Sequence, residues 1–195
     1  MDLTTDFKRA QTAYAERLAY ATAHRYKELW STGPLLHAET FDFERQGLAA
    51  GRLLRKPPAA TKNTYCYWLS EQDVLLTTRK GLALAEQFDE EFFFIEDGHS
   101  KSCLYGNTKL LQNVKTRLFK DGRLSEVFLL GRRGFKHETF YYENDVLVSI
   151  RVDQGNAEQA GTSYTTLFSY QNGQVLEIVT KFDNGYQEVR YSAKR

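Results

Sequence analysis

Three segments in the second half of the chain share one nine-residue pattern, and this repeat restricts the possible folds more than any other feature. The segments are Phe119–Val127 (FKDGRLSEV), Tyr142–Ile150 (YENDVLVSI) and Tyr170–Ile178 (YQNGQVLEI). Each puts an aromatic first, a turn pair third and fourth, and aliphatics sixth and ninth. Asp121-Gly122, Asn144-Asp145 and Asn172-Gly173 are pairs that accept the positive φ angles of a two-residue hairpin, so the flanking residues pair across a ladder. Further turns are expected at Gly131–Gly134, across Asp153–Gly161, and at Asp183–Gly185. One such hairpin cannot bury its own face. A succession of them predicts an antiparallel meander.

Upstream, strand signals follow one another from Thr64. Tyr65–Leu69 precedes a turn at Glu71–Asp73, then come Val74–Thr78 and Glu91–Ile95, the last closing on Asp97-Gly98. The segment 81–88 fits either a strand or a short helix. Leu110, Val114 and Leu118 alternate with Lys115 and Arg117, which predicts a strand with the two charged residues on its outward side. The 13 Phe and 12 Tyr lie mostly beyond Thr61 and suit a pleated, half-buried surface.

The N-terminus reads differently. Phe7, Ala10, Tyr14, Leu18, Ala21, Arg25 and Leu29 recur at three- and four-residue steps, and Thr4 or Thr5 can cap a helix with Asp6 in its first turn. Gly33-Pro34 would end it, giving a rod of roughly 40 Å. Residues 34–63 read as an irregular connector, in which Thr40–Phe43 alternates like a strand. The expectation is therefore an α+β single domain over 1–195. A long N-terminal α-helix (1–33) would pack on a large antiparallel β-meander sheet (64–195), open or partly closed.

Charge and composition exclude several classes. With 26 basic and 25 acidic residues the net charge is +1, so no long-range field holds a phosphate backbone and nucleic acid is not the expected partner. The adjacent pairs Arg132-Arg133 and Lys194-Arg195 are explained by solvated turns. No basic segment leads into an apolar run at the N-terminus, and no stretch approaches the length of a membrane span, so a cytoplasmic chain without membrane contact is expected. Cys66 and Cys103 sit in strand-like runs and read as reduced, partly buried thiols.

Phe119–Leu124, Tyr170–Val175, Asn184-Gly185 and Tyr191 resemble the YD repeats of Rhs proteins. Phe140–Asn144 resembles the Tyr-Tyr-x-Asn-Gly core of the MORN-type repeats of some bacterial antitoxin and immunity proteins, with Asp145 where that core has glycine. The resemblance spans about residues 109–191. It implies a sheet of stacked hairpins that binds another protein, and, in an immunity protein, a cognate toxin domain.

Sites of chemistry are few. There is no phosphate-cradling glycine loop, dinucleotide turn, His-Glu-x-x-His or Cys-x-x-Cys pattern. His24, His37, His99 and His137 lack ligand spacing, and neither a cofactor nor a metal is expected. His99 and Cys103 are the nearest approach to a catalytic pair, and a turn followed by a strand with a buried cysteine explains them better. The densest charge cluster is Asp89, Glu90 and Glu91 with Glu96 and Asp97. It reads as a solvated strand end or, functionally, as an anionic patch that meets a basic partner protein. Trp68, Tyr141, Tyr142 and Tyr170 are expected in the core, and any left exposed would anchor an interface. The favoured function is a non-enzymatic protein-binding module, an immunity protein that neutralises a toxin. A barrel-like carrier of a small ligand is the alternative, and a hydrolase using Cys103 and His99 ranks last.

Overall fold

The computed structural model describes residues 2–84, 86–156 and 161–193. Lys194-Arg195 and part of the turn expected between Asp153 and Gly161 lie outside the described residues. Among the described residues the chain is essentially all-β, with 53% strand and 12% helix, and thirteen strands form one antiparallel, mostly meandering sheet. The α+β expectation with a long N-terminal helix is therefore corrected.

Two short helices, α1 (Leu3–Ala10) and α2 (Tyr14–His24), take the place of the predicted rod. Asp2 caps α1 through bonds from the Thr4 and Thr5 amides, both 3.1 Å. The break has a local cause. Thr12 N–H bonds to Arg9 and Ala13 N–H to Ala10, three residues back, so the turn tightens and the axis restarts. Beyond His24, Arg25 is extended (φ −69°, ψ 111°) and the chain becomes strand β1 (Lys27–Ser31). All five β1 residues pair with β3 (Tyr65–Leu69), so sheet pairing overrides a helical spacing that continued to Leu29. Between them lie α3 (Asp42–Arg45), where strand alternation was expected, and the two-residue β2 (Leu53–Leu54), paired with β1. The Gly33–Gly51 approach fixes this crossing: a Cβ on Gly51 would lie 2.2 Å from the Gly33 carbonyl.

The remaining strands are β4 (Leu75–Gly81), β5 (Phe88–Glu96), β6 (His99–Tyr105), β7 (Leu111–Lys120), β8 (Arg123–Gly131), β9 (Gly134–Glu143), β10 (Val146–Gly155), β11 (Thr162–Gln171), β12 (Gln174–Phe182) and β13 (Gln187–Ser192). Residues 82–87 are loop where described, neither strand nor helix.

Two compact units emerge. The first comprises Met1–Leu36, Ala50–Thr116 and Leu130–Arg132. Its core gathers Cys66, Trp68, Phe92, Cys103, Tyr105 and Val114 beneath Ala10, Ala21, Phe7, Tyr14 and Leu18 of the helices. Tyr105 donates its hydroxyl to the Ala10 carbonyl at 2.7 Å, and Lys101 bridges Asp6 (2.8 Å) and Glu96 (2.9 Å).

The second unit comprises His37–Ala49, Arg117–Leu129 and Arg133–Arg195. Here the repeat becomes structure. Both residues of each turn pair have positive φ: Asp121 52° and Gly122 76°, Asn144 46° and Asp145 70°, Asn172 53° and Gly173 76°. The ladder slips between Leu147 and Ser149, and again within the β11–β12 pairing beside Tyr170, so Val148 and Leu176 are the bulged residues. They occupy the seventh place of their copies. The bulge returns the chain to its inward side, and both aliphatics of each copy then face the core. Leu124, Val127, Leu147, Ile150 and Ile178 are buried, with Val175 packed against them. Tyr142 donates to the Leu124 carbonyl (3.0 Å) and Tyr170 to the Leu147 carbonyl (2.7 Å). Each repeat tyrosine thus reaches back to the sixth residue of the copy before it.

Candidate binding face

In the second unit the two faces of the sheet have different fates. Glu138, Phe140, Ile150, Val152, Thr166, Phe168, Ile178 and Thr180 point to the covered side and are buried. Their strand neighbours point the other way. Register brings Tyr141, Ser149, Leu167, Val179 and Val189 into one row across β9 to β13. Tyr141, Leu167 and Val189 are 51%, 42% and 48% exposed, while Val179 is half-buried and the row is polar at Ser149. The adjacent row is Thr139, Arg151, Thr165, Lys181 and Gln187, with Arg151 held by Asp183 at 2.8 and 3.1 Å. An apolar band with a polar, partly basic rim is the anatomy of a protein interface. β13 is bonded to β12 alone, and β2 to β1 alone. Among the described residues the strand order is linear and does not return on itself.

The covered side is closed by segment 37–49. Arg117, 1% exposed, donates to Glu39 at 2.8 Å (Nη2) and 3.1 Å (Nε). Arg45 Nη1 donates to Glu138 at 3.1 Å, and Lys136 lies 2.8 Å from the same carboxylate. Burial raises the Glu138 carboxyl, but Arg45 and Lys136 outweigh it and hold the group below its usual range. Phe41 lies over Phe168 and Tyr170, with centroids at 5.5 and 6.5 Å. Arg117, expected on an outward side, is instead among the most deeply buried large side chains. Its partner Glu39 is 78 residues away and leaves no local trace in the sequence.

The five acidic residues singled out in the sequence do not form one surface. Glu90 is 1% exposed and accepts from Tyr14 (2.6 Å), Lys109 (2.6 Å) and Arg79 (2.9 Å). Burial raises its carboxyl, and the bonds from Lys109 and Tyr14 with the Arg79 charge pull it below the ordinary value. Glu96 pairs with Arg9 (2.6 Å) and Lys101. Glu91 accepts from Ser102 (2.7 Å), and Asp89 from the Asn107 amide (3.2 Å). Asp97 is open to solvent at the β5–β6 turn with φ 52°. Alternation separates Glu90 and Glu96 from Asp89 and Glu91.

Cys66 and Cys103 are free and buried, and burial pushes both thiols up to about 12, so both stay protonated at neutral pH. Such a thiol is a poor nucleophile. His99 and Cys103 stand four residues apart on one strand, roughly 13 Å along it. Among the described residues no group of His, Cys, Asp and Glu is placed to hold a metal ion, and no helix is long and apolar enough to cross a membrane. Of the aromatics flagged in the sequence, Trp68 is buried, Tyr142 and Tyr170 are half-buried, and Tyr141 is the exposed one. Leu167, Val179 and Val189 were not singled out. Their signal is period-two alternation, which shows only once the strand ends and bulges are known.

Fold and face together define an antiparallel hairpin-meander protein with one apolar sheet face displayed. Comparison with family models, curated proteins and solved structures returns no match.

Proposed function

We propose that this chain is a protein-binding module whose contact surface is the open face of the C-terminal sheet. The observation that carries the reading is the cross-strand row in which Tyr141, Leu167 and Val189 are exposed and Val179 half-buried, although each of these strands is hydrogen-bonded to a neighbour. Apolar side chains gathered in the open on one sheet face favour a contact surface for another protein. Arg151 and Lys181 on the flanking row favour a partner that offers apolar side chains rimmed by carboxylates or carbonyl oxygens. The hairpin-repeat resemblance supplies the finer reading, a cytosolic immunity protein that occupies and neutralises a toxin domain.

The test is binding of the purified chain to a candidate toxin domain, with Leu167→Asp as the probe. Because Leu167 faces away from the core, the variant should keep its circular dichroism and unfolding midpoint yet lose at least 100-fold in affinity. A folded Leu167→Asp chain that binds as tightly as the parent would refute the surface assignment, and absence of binding to any such domain would refute the finer reading.

A further inference from the structure

Segment 37–49 covers the inner face of the C-terminal sheet without joining it. Its main-chain hydrogen bonds run within the segment: Asp42 to Glu39, Arg45 to Phe41, Gln46 to Phe43, Gly47 to Glu44 and Leu48 to Phe43. Side-chain contacts tie it to the sheet, three of them through buried charge or a ring. These are Glu39 on Arg117, Phe41 over Phe168 and Tyr170, and Arg45 on Glu138. Detachment therefore breaks no ladder bond. The base is pinched shut, since Gly51 N–H bonds to the Pro34 carbonyl at 2.6 Å, so the segment is a loop with its ends tied together.

The attachment also has the marks of a separable contact. α3 is four residues long with no fully buried member. Phe41 sits in the left-handed region at φ 55°, a conformation a bulky side chain keeps only under constraint. Arg45 Nε and Glu138 Oε2 are buried without a hydrogen-bond partner, so the seam is imperfectly satisfied at its centre.

We propose that segment 37–49 is the in-cis occupant of a peptide-binding site on the inner face of this sheet, and that it leaves as a unit while the strands stay paired. Arg117 receives a carboxylate, the Phe168–Tyr170 shelf receives an aromatic ring, and Glu138 with Lys136 beside it receives a guanidinium. The ligand class is thus a short segment carrying an acid, an aromatic two residues on and an arginine four beyond that, as Glu39, Phe41 and Arg45 do. The site lies on the face opposite the Tyr141–Val189 row and does not depend on the function proposed for that row.

Native-state hydrogen exchange on the intact chain tests the release. The amides of Arg45, Gln46, Gly47 and Leu48 should exchange at least 100-fold faster than those of β10–β12, with rates nearly flat in low urea, while β10–β12 rates climb with urea. Equal rates with equal urea dependence would mean one cooperative unit and would overturn the proposal. A labelled peptide of residues 37–49 tests the site. It should bind a chain carrying Phe41→Ala and Arg45→Ala at least 10-fold more tightly than the parent, whose own segment competes. Equal binding, or none to either chain, would overturn the assignment of a peptide site.

Discussion

The two units solve the same problem with different covers. A sheet of hairpins has one face to bury. The N-terminal unit lays α1 and α2 over it, and the C-terminal unit lays a thirteen-residue segment with a single helical turn. In each, a fully buried glutamate of the sheet meets a donor from the cover: Glu90 takes Tyr14, and Glu138 takes Arg45. The helical cover adds packing from Phe7, Leu18 and Ala21. The short one relies on charge, because Phe41 is its one aromatic packed on the core. The lesson is a division of labour: hairpins are specified locally, and whatever closes them is specified by long-range pairs.

The comparison is most easily broken at the buried charges. Arg117→Ala removes the guanidinium that meets Glu39 inside the core and should cost about 3–5 kcal/mol in urea unfolding. Glu90→Ala, whose partners Arg79 and Lys109 keep access to water, should cost about 1–3 kcal/mol. Arg117→Met with Glu39→Leu should recover most of the first loss, because an apolar pair of similar volume removes both buried charges. A loss under 1 kcal/mol for Arg117→Ala would show that the short cover is held by something else.

Next come the single hydroxyls. Tyr105→Phe removes one of two donors to the Ala10 carbonyl, which keeps the Ala13 N–H, and should cost about 1 kcal/mol. Tyr142→Phe and Tyr170→Phe, at half-buried sites, should each cost about 1 kcal/mol. Similar losses for the two repeat tyrosines would sharpen the view that the copies are equivalent.

Acid should then weaken both seams together. Glu90 and Glu138 are held below the ordinary carboxylate value in the folded state. Their contribution is therefore complete above that ordinary value and is lost as pH falls through the folded one. Urea midpoints should hold from pH 7 to 5 and decline below about 4.5, and Glu90→Gln should decline less steeply than the parent. A parallel decline in parent and variant would remove Glu90 from the account.

A small gain is expected at the irregular repeat. Asp145 holds φ 70° where the other two copies have glycine. Asp145→Gly relieves that position but loses an exposed ion pair with Arg123, for a net stabilisation of roughly 0.5 kcal/mol.

These contrasts follow what the sequence made legible. Strand β3 ends where its apolar run ends, and four tight turns, at Asp97, Asp121, Asn144 and Asn172, carry the positive φ their residues announced. The N-terminal helix was misread past His24 because Arg25 and Leu29 kept a helical spacing, while the pairing of Leu29 with Tyr67 is 38 residues distant and invisible to any local window. The acidic run at Asp89–Asp97 announced its charge but not its partners, since Tyr14 lies 76 residues from Glu90. The displayed row appeared in fragments, with Tyr141 noticed, Leu167 passed over although β11 alternates without a break, and Val179 and Val189 beside bulges that shift the phase.

The central claim is that this row serves a partner and contributes nothing to the fold. Urea unfolding of a chain carrying Tyr141→Ser, Leu167→Ser and Val189→Ser measures that directly. The account predicts a midpoint within about 0.5 kcal/mol of the parent, as for surface changes away from packed features. A loss above about 2 kcal/mol, the size of a core truncation, would show that these side chains are packed within the molecule and contradict their role as a displayed surface.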